Sequence, residues 1–360
     1  MKKIQKLTTA MKEQGIEAVL VSSEINQRYL TGFAFSDGYV LVTTERSYLI
    51  TDFRYTEAAT AAVNAEDFTI LAPAEGMRRA IKRLLGEHGV KVLSVEGATL
   101  CVDDFRSFDA LLEGITLVPN ASTLIDGLRL FKDDDEIAKM QKAQDIADAA
   151  FSHILTYINP DRTEIDVALE LEFFMRAHGA ECVSFETIAV SGSASSLPHG
   201  VPRPVKLEKG FFTMDFGARV DGYCSDMTRT VVIGRADEEM KHLYHTVLRA
   251  QLAALDAAKL GVSLSYLDKV ARDIIDANPQ YKGAFGHSLG HGVGMYIHEE
   301  PRLSVRVPED QTLQPGHVVT FEPGIYLVGK YGCRIEDMAA LREDGTLHNF
   351  THSPKDLIEL

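Results

Sequence analysis

The 360-residue sequence predicts an α+β protein of two domains, a smaller α/β one followed by a larger one. Three observations lead there. The chain is too long for one ordinary hydrophobic core, which makes two domains the expectation. Residues 1–127 read as alternating helices and strands, the pattern of a small α/β layer structure. From residue 128 to 360 two helices precede a run of strands, and that succession then occurs a second time. The doubling predicts a pseudo-symmetric α+β domain over 128–360, joined to the first near residues 126–131.

In the first domain, Ile4, Leu7 and Met11 space as one face of an opening helix, and "AVLVS" after it is a short buried strand. "GYVLVTTERSYLIT" (38–51) reads as a hairpin turning around Thr44 to Ser47. Asp52 is placed to cap the helix "DFRYTEAATAAV", because its carboxylate can accept from the free amides of the first turn. "EGMRRAIKRLLGEHG" is an amphipathic helix closed by Gly89, and "VKVLSVEG" is a further strand. In the second domain, "RLFKDDDEIAKMQKAQDIADAAFSHILTYI" is a long helix with its aspartates at the N-terminal end, where the macrodipole favours them. Pro160 stops it, and "TEIDVALELEFFMRAHG" follows with Gly179 past its end. Strands then fill 182–233. The helices "DEEMKHLYHTVLRAQLAALDAAKLG" and "SLSYLDKVARDIIDA" open the second round, and 283–343 is strand and loop punctuated by glycine and proline.

Composition narrows the function. Hydrophobic residues make up 45% and charged residues 25%, the balance of a soluble globular protein. With 37 Lys+Arg against 52 Asp+Glu the net charge is −15, which disfavours nucleic acid and anionic membrane as partners. Cys101, Cys182, Cys224 and Cys333 form no C-x-x-C pair and suit reduced thiols in a cytoplasmic protein. The N-terminus has lysines without an apolar signal core, and no apolar run approaches membrane-spanning length.

The residues that resist this bland description are carboxylates on strands. In "TMDFGARVDGYCSDM", Asp215 lies among apolar neighbours and Asp226 follows on the hairpin partner. A turn at Asp221-Gly222 sets Asp215 opposite Thr228, which puts Asp226 on the same face as Asp215. A one-residue slip would separate them. Two carboxylates sharing an apolar face repel, so one takes a proton, a cation sits between them, or each is salt-bridged, with Arg219 and Arg229 at hand. Glu322 in "FEPG" and Glu336 in "CRIEDM" repeat the pattern, their common face depending on the loop "VGKYG". Between the two acidic pairs, "GHSLGHGVGMYIHEEP" holds His287, His291 and His298 in a glycine-rich stretch that argues for tightly folded backbone. Four carboxylates with an imidazole form an oxygen-rich donor set suited to divalent Mn, Co, Fe or Zn and unlike a thiolate structural zinc site.

"MDFGARVDGYCSDMTRT", "HSLGHGVGMYIHEEP", "FEPGIY" and "CRIED", in this order, resemble the pita-bread metallopeptidases, and within them the Xaa-Pro branch of aminopeptidase P and prolidase. "YLTGFAFSDGYVLVTTERSYLITDFRYTEAA" and the linker "LRLFKDDDEIAKMQKA" are similar to that branch too, so the likeness spans essentially the whole chain. It implies a pita-bread catalytic domain over 128–360 and a creatinase/prolidase-type N-terminal domain over 1–127 that assembles a homodimer or closes the site. It implies two divalent metal ions, manganese first, held by Asp215, Asp226, His291, Glu322 and Glu336, with Glu322 also relaying a proton. His199 of "LPHG", His287 and His298 match histidines that hold substrate and tetrahedral intermediate, and Arg334 matches an arginine beside the last ligand. The implied substrates are peptides with proline at the second position.

Tyr296 departs from relatives that carry an acidic residue there. Cys224 shares the parity of Asp226 and is read as packing; Tyr223 and Thr228 are read as hairpin packing and supporting hydrogen bonds. "GFAFSDGYVLV" leans toward aminopeptidase P, and no His-rich prolidase-like loop is evident; a prolidase would need a group that captures the product-side carboxylate. A pita-bread binding protein without catalysis and a metal-free creatinase-like hydrolase are disfavoured by the intact ligand set. A plain methionine aminopeptidase would leave residues 1–127 surplus.

Overall fold

The computed structural model, which describes residues 1–360, divides into two units, Met1–Arg129 and Leu130–Leu360. The first runs α1 (Lys3–Glu13), β1 (Ala18–Val21), α2 (Glu24–Thr31), β2 (Gly38–Thr43), β3 (Ser47–Thr51), α3 (Phe53–Ala62) and β4 (Thr69–Leu71). It continues through α4 (Met77–Glu87), β5 (Val92–Val95), α5 (Val102–Leu111), β6 (Thr116–Val118) and α6 (Ala121–Arg129). The strands form a six-stranded sheet ordered β4-β3-β2-β1-β5-β6. Leu20, Leu41, Ile50 and Leu93 of the sheet pack on Ile81, Leu84 and Leu85 of α4 and on Phe108 of α5. Asp52 caps α3 by accepting from the Arg54 amide, as its place before the helix predicts.

Three helices here escape a reading based on apolar periodicity, for a physical reason. α2 buries Asn26 and Gln27 on its inner face, where Gln27 donates to the Val21 and Gly38 carbonyls and Asn26 to the Glu96 carboxylate. α5 buries only Phe108, and α6 crosses the stretch read as a join.

The second unit opens with α7 (Asp134–Tyr157), α8 (Glu164–Ala177), β7 (Cys182–Val183) and β8 (Ile188–Ser191), followed by a 3-10 turn at Gly192–Ser196. The first carboxylate-bearing hairpin follows as β9 (Gly210–Phe216), β10 (Ala218–Val220), β11 (Tyr223–Cys224) and β12 (Met227–Ile233). The second round holds α9 (Glu238–Ala257), α10 (Leu264–Asp276), β13 (Gly290–Gly292), β14 (Glu299–Leu303) and β15 (Val318–Phe321). Last come β16 (Gly324–Leu327), β17 (Tyr331–Arg334), β18 (Asp337–Leu341) and β19 (Leu347–Asn349). α7 starts later than the sequence suggests, because Asp133 caps it in a reciprocal capping box with Glu136.

The two rounds repeat each other in detail. Thr163 bridges Lys206 just before α8, and Ser263 bridges Thr312 just before α10. The amides of Glu164 and Leu264, the first residues of those helices, reach across to the Val205 and Gln311 carbonyls. One apolar core gathers α7, α8 and the β9–β12 pair; the other gathers α9, α10, β15 and β17. The rounds meet where Glu336 N donates to the Thr228 carbonyl and Arg334 N to Thr230 Oγ1.

Registers settle which carboxylates face each other. Asp215 lies opposite Thr228 and Arg219 opposite Cys224, around a turn whose Asp221 (φ 49°) and Gly222 (φ 85°) are both left-handed. Phe321 pairs with Asp337 and Gly324 with Arg334, so Glu322 stands across from Glu336.

One carboxylate fixes the fold outside these strands. Glu164, its side chain 0% exposed, accepts from Ser191 N and Oγ and from Arg203 N, Nε and Nη2 at 2.6–2.9 Å. Burial alone would raise its pKa, yet the Arg203 and Ser191 hydrogen bonds outweigh that and hold it below the ordinary 4.5. Its contribution is therefore complete at neutral pH and is lost as pH falls through the depressed value. We expect Glu164→Gln to cost about 3 kcal/mol at pH 7. The gap to the natural protein should narrow in acid, as urea denaturation at the two pH values would measure.

Candidate metal centre

Each proposed donor reaches the site from a strand or its end. Asp215 is the last residue but one of β9, Asp226 precedes β12, His291 lies in the middle of β13, and Glu322 and Glu336 flank the β16–β17 hairpin. Gly217 lets the first hairpin close: a Cβ there would run into the Ser225 carbonyl beside Asp226. Asp226, His291 and Glu336 bring one ligand atom each within 4.8 Å of one another. His291 Nε2 lies 3.6 Å from Asp226 Oδ2 and 3.4 Å from Glu322 Oε1. Its Nδ1–H donates to the Gly292 carbonyl at 3.0 Å, which leaves the Nε2 lone pair facing the carboxylates. Burial lowers the ring's pKa to about 3, so His291 is neutral.

Neither arginine available as a bland partner serves these aspartates. Arg229 pairs with Asp337 at 2.9 Å, and Arg219 reaches the Met295 carbonyl. The cation beside Asp215 is Arg334, whose Nη2 meets Oδ2 at 2.6 Å. Arg334 also donates to Tyr326 OH at 2.7 Å and to Thr228 Oγ1 at 2.9 Å, and Thr228 donates onward to Glu336 Oε2 at 2.7 Å. Thr228 thus holds the carboxylate directly. Cys224 points away, its buried Sγ 3.7 Å from the Met295 carbonyl, and Tyr223 OH donates to Glu136.

A cation fits this arrangement. Asp215 Oδ1 is buried with no hydrogen-bond partner. Burial, then repulsion from the other carboxylates, pushes Asp226 and Glu336 well above the usual range, and burial drives Glu322 up to about 8 despite Arg334. One guanidinium cannot balance four carboxylates, and the donors are oxygens with one imidazole nitrogen, the set that hard and borderline divalent ions prefer.

The cluster floors a cavity of about 430 Å³ whose walls include Phe185, Glu186, Ile188, Val201, Ile297 and Arg302. The three other histidines are placed differently from one another. His199 is exposed at the rim on the loop after the 3-10 turn. His298 stands edge-on to His291 at 4.5 Å, and burial lowers its pKa. Neither ring hydrogen-bonds to the protein, so both are free for a ligand. His287 is tied at both nitrogens: Nδ1 donates to the Ser288 carbonyl at 2.9 Å, and Nε2 accepts from Tyr326 OH at 3.0 Å. Its Nδ1 also lies 3.9 Å from Glu322 Oε2. Tyr326 and Arg302 were not singled out in the sequence. A tyrosine two residues past Gly324 and an arginine after Glu300-Pro301 carry no local signal, because their roles depend on strands brought in from elsewhere.

Two similar helix–helix–strand rounds meeting over a carboxylate-floored pocket define the pita-bread class of α+β protein. The profile of metallopeptidase family M24 matches residues 138–343, and that of the creatinase/prolidase N-terminal domain matches 3–131. YqhT, an uncharacterised peptidase of Bacillus subtilis (strain 168), is 42% identical over 99% of this chain and 100% of its own. Among solved structures, an Xaa-Pro dipeptidase from Bacillus anthracis superposes with a TM-score of 0.93 at 41% identity, covering 99% of each chain. An X-Pro aminopeptidase from Thermotoga maritima MSB8 gives 0.90 at 35% identity over 100% of both chains. The chain belongs to metallopeptidase family M24, in its Xaa-Pro branch. It is a metal-dependent hydrolase.

Proposed function

We propose that the protein hydrolyses the bond between an N-terminal residue and a following proline, with Asp215, Asp226, His291, Glu322 and Glu336 holding two divalent ions, manganese first among Mn, Co, Zn and Fe. The observation that carries this reading is the convergence of four carboxylates and one neutral imidazole on the floor of a single pocket. Such ions, when bound, polarise the scissile carbonyl and bring the pKa of a water to about 7. Glu322, beside His291, is placed to take the proton of the attacking water and pass it to the departing proline nitrogen. His298 and His199, free of protein partners, donate to the carbonyl oxygen and to the oxyanion that develops on it. His287 holds Tyr326 in place. Arg334 orients Asp215 through the 2.6 Å contact between its Nη2 and Oδ2. Proline brings no N–H and a fixed φ, so recognition rests on walls such as Phe185, Ile188 and Ile297.

Between the two specificities, one observation favours a dipeptidase over the aminopeptidase P reading that the N-terminal sequence suggests. Arg302 lines the pocket without an ion pair or hydrogen bond to the protein, the group a dipeptide's carboxylate would require. Product analysis with Xaa-Pro and Xaa-Pro-Yaa, each with added Mn, Co or Zn, tests this. The dipeptide alone should be cleaved, and Arg302→Met should raise its KM by about tenfold or more. Efficient cleavage of the tripeptide, with dipeptide KM unchanged by R302M, would restore the aminopeptidase reading. A cytoplasmic homodimer, with residues 1–127 assisting assembly or closure and 128–360 catalytic, completes the proposal.

A further inference from the structure

His298 makes no hydrogen bond of its own to the protein, so its position is set through its backbone. The residue after it, Glu299, is one half of a pair in which both charges are buried: Lys132 Nζ lies 3.1 Å from Glu299 Oε2, with side chains 1% and 4% exposed. Taking both ions from water is unfavourable, and the strand pairing does not call for it, since a well-packed apolar pair would serve stability as well. What the pair does is local. Glu299 Oε1 accepts from Tyr296 N at 2.9 Å, closing the loop that ends at His298. Gly294 N donates to the Tyr296 carbonyl, and a Cβ on Gly294 would press on the Glu299 carboxylate.

The far side of the loop is held as well. Cys224 N donates to the Gly294 carbonyl at 2.8 Å, from the hairpin that carries Asp226. Lys132 is itself fixed, its amide donating at 2.8 Å to the carbonyl of Gly316, the turn that leads into β15 and Glu322. The other two histidine-bearing segments are gripped alike. Arg203, paired with Glu164, anchors the loop of His199. Arg272, paired with Asp268, donates to the Phe285 and His287 carbonyls at 2.7 and 2.8 Å.

We infer that the buried Lys132–Glu299 pair is a positioning device for His298, placing its imidazole relative to the carboxylate cluster through the closed loop. The inference rests on the reading that His298 touches the substrate. A double-mutant cycle between K132M and H298A, on the manganese-loaded full chain with Xaa-Pro dipeptide, tests it. We expect K132M to lower kcat about tenfold with KM and metal content nearly unchanged, because a small misplacement of a positioned group is felt in turnover. In the H298A background the same change should cost less than about twofold, and K132R should restore most of the lost turnover. Equal losses in both backgrounds, or an unaffected K132M, would overturn the inference. Full activity of H298A alone would overturn the histidine's role, and the inference with it, in a variant that leaves Lys132 untouched. Should K132M fail to fold, E299Q keeps an acceptor for Tyr296 N while removing the charge pair, and its cycle with H298A reads the same two ways.

Discussion

Asp226→Ala is expected to abolish metal loading and turnover together. Asp226 sits within 4.8 Å of both His291 and Glu336 in the tightest group of donors, with Glu322 also near His291. Loss of a supporting group around a metal already costs about 10- to 100-fold in affinity or activity, so loss of a proposed ligand should exceed that. Metal analysis of the purified variant alongside dipeptide hydrolysis measures both. A metal-free variant with full activity would refute the site. The same carboxylates predict the behaviour of the metal-stripped natural protein. Asp226 and Glu336 are raised well above the usual range and Glu322 to about 8, so in this state the fold binds more protons than the unfolded chain. Stability of the stripped protein should then fall as pH rises from the ordinary carboxylate range toward about 8. Adding Mn should flatten that slope, and Asp226→Asn, which removes one of the repelling charges, should raise the melting temperature of the stripped protein at neutral pH.

His298→Ala carries the second large effect, of a different kind. The ring lies edge-on to His291 and is free of protein hydrogen bonds, with an N–H to offer, and partial desolvation lowers its pKa. Loss of one donor aimed at a developing oxyanion costs about 100- to 1,000-fold in kcat. Metal content should stay that of the natural protein. Unchanged turnover would remove His298 from the mechanism, and a parallel loss of metal would make it a ligand instead.

The first hairpin was legible because its turn announces itself: Asp221-Gly222 fixes a two-residue connection, and from it the pairing of Asp215 with Thr228 follows by counting. The second carboxylate pair was legible as residue types and not as geometry. "VGKYG" has no single turn reading, and only the observed pairing of Gly324 with Arg334 sets Glu322 against Glu336. The partners of the aspartates were not legible at all. Arg219 and Arg229 are near in sequence but are used elsewhere, whereas Arg334 reaches Asp215 from the other round. Helix α2 was hidden for a related reason, since its buried face is made of amides that answer backbone carbonyls and a distant glutamate. Local pattern carries element type and parity, while contacts between elements distant along the chain need the fold.

That division shapes how the site can vary. Asp215 and Asp226 come from one round and Glu322 and Glu336 from the other, and the rounds are stitched by Glu336 N to Thr228 and Arg334 N to Thr230. The first round alone would present two like charges and no counter-charge, since Arg334 comes from the second. A substitution that is harmless to its own round can therefore be ruinous at the seam, as a change at Thr228 would be for Glu336 on the opposite side. Where the two rounds meet around the carboxylates, each is answerable to the other.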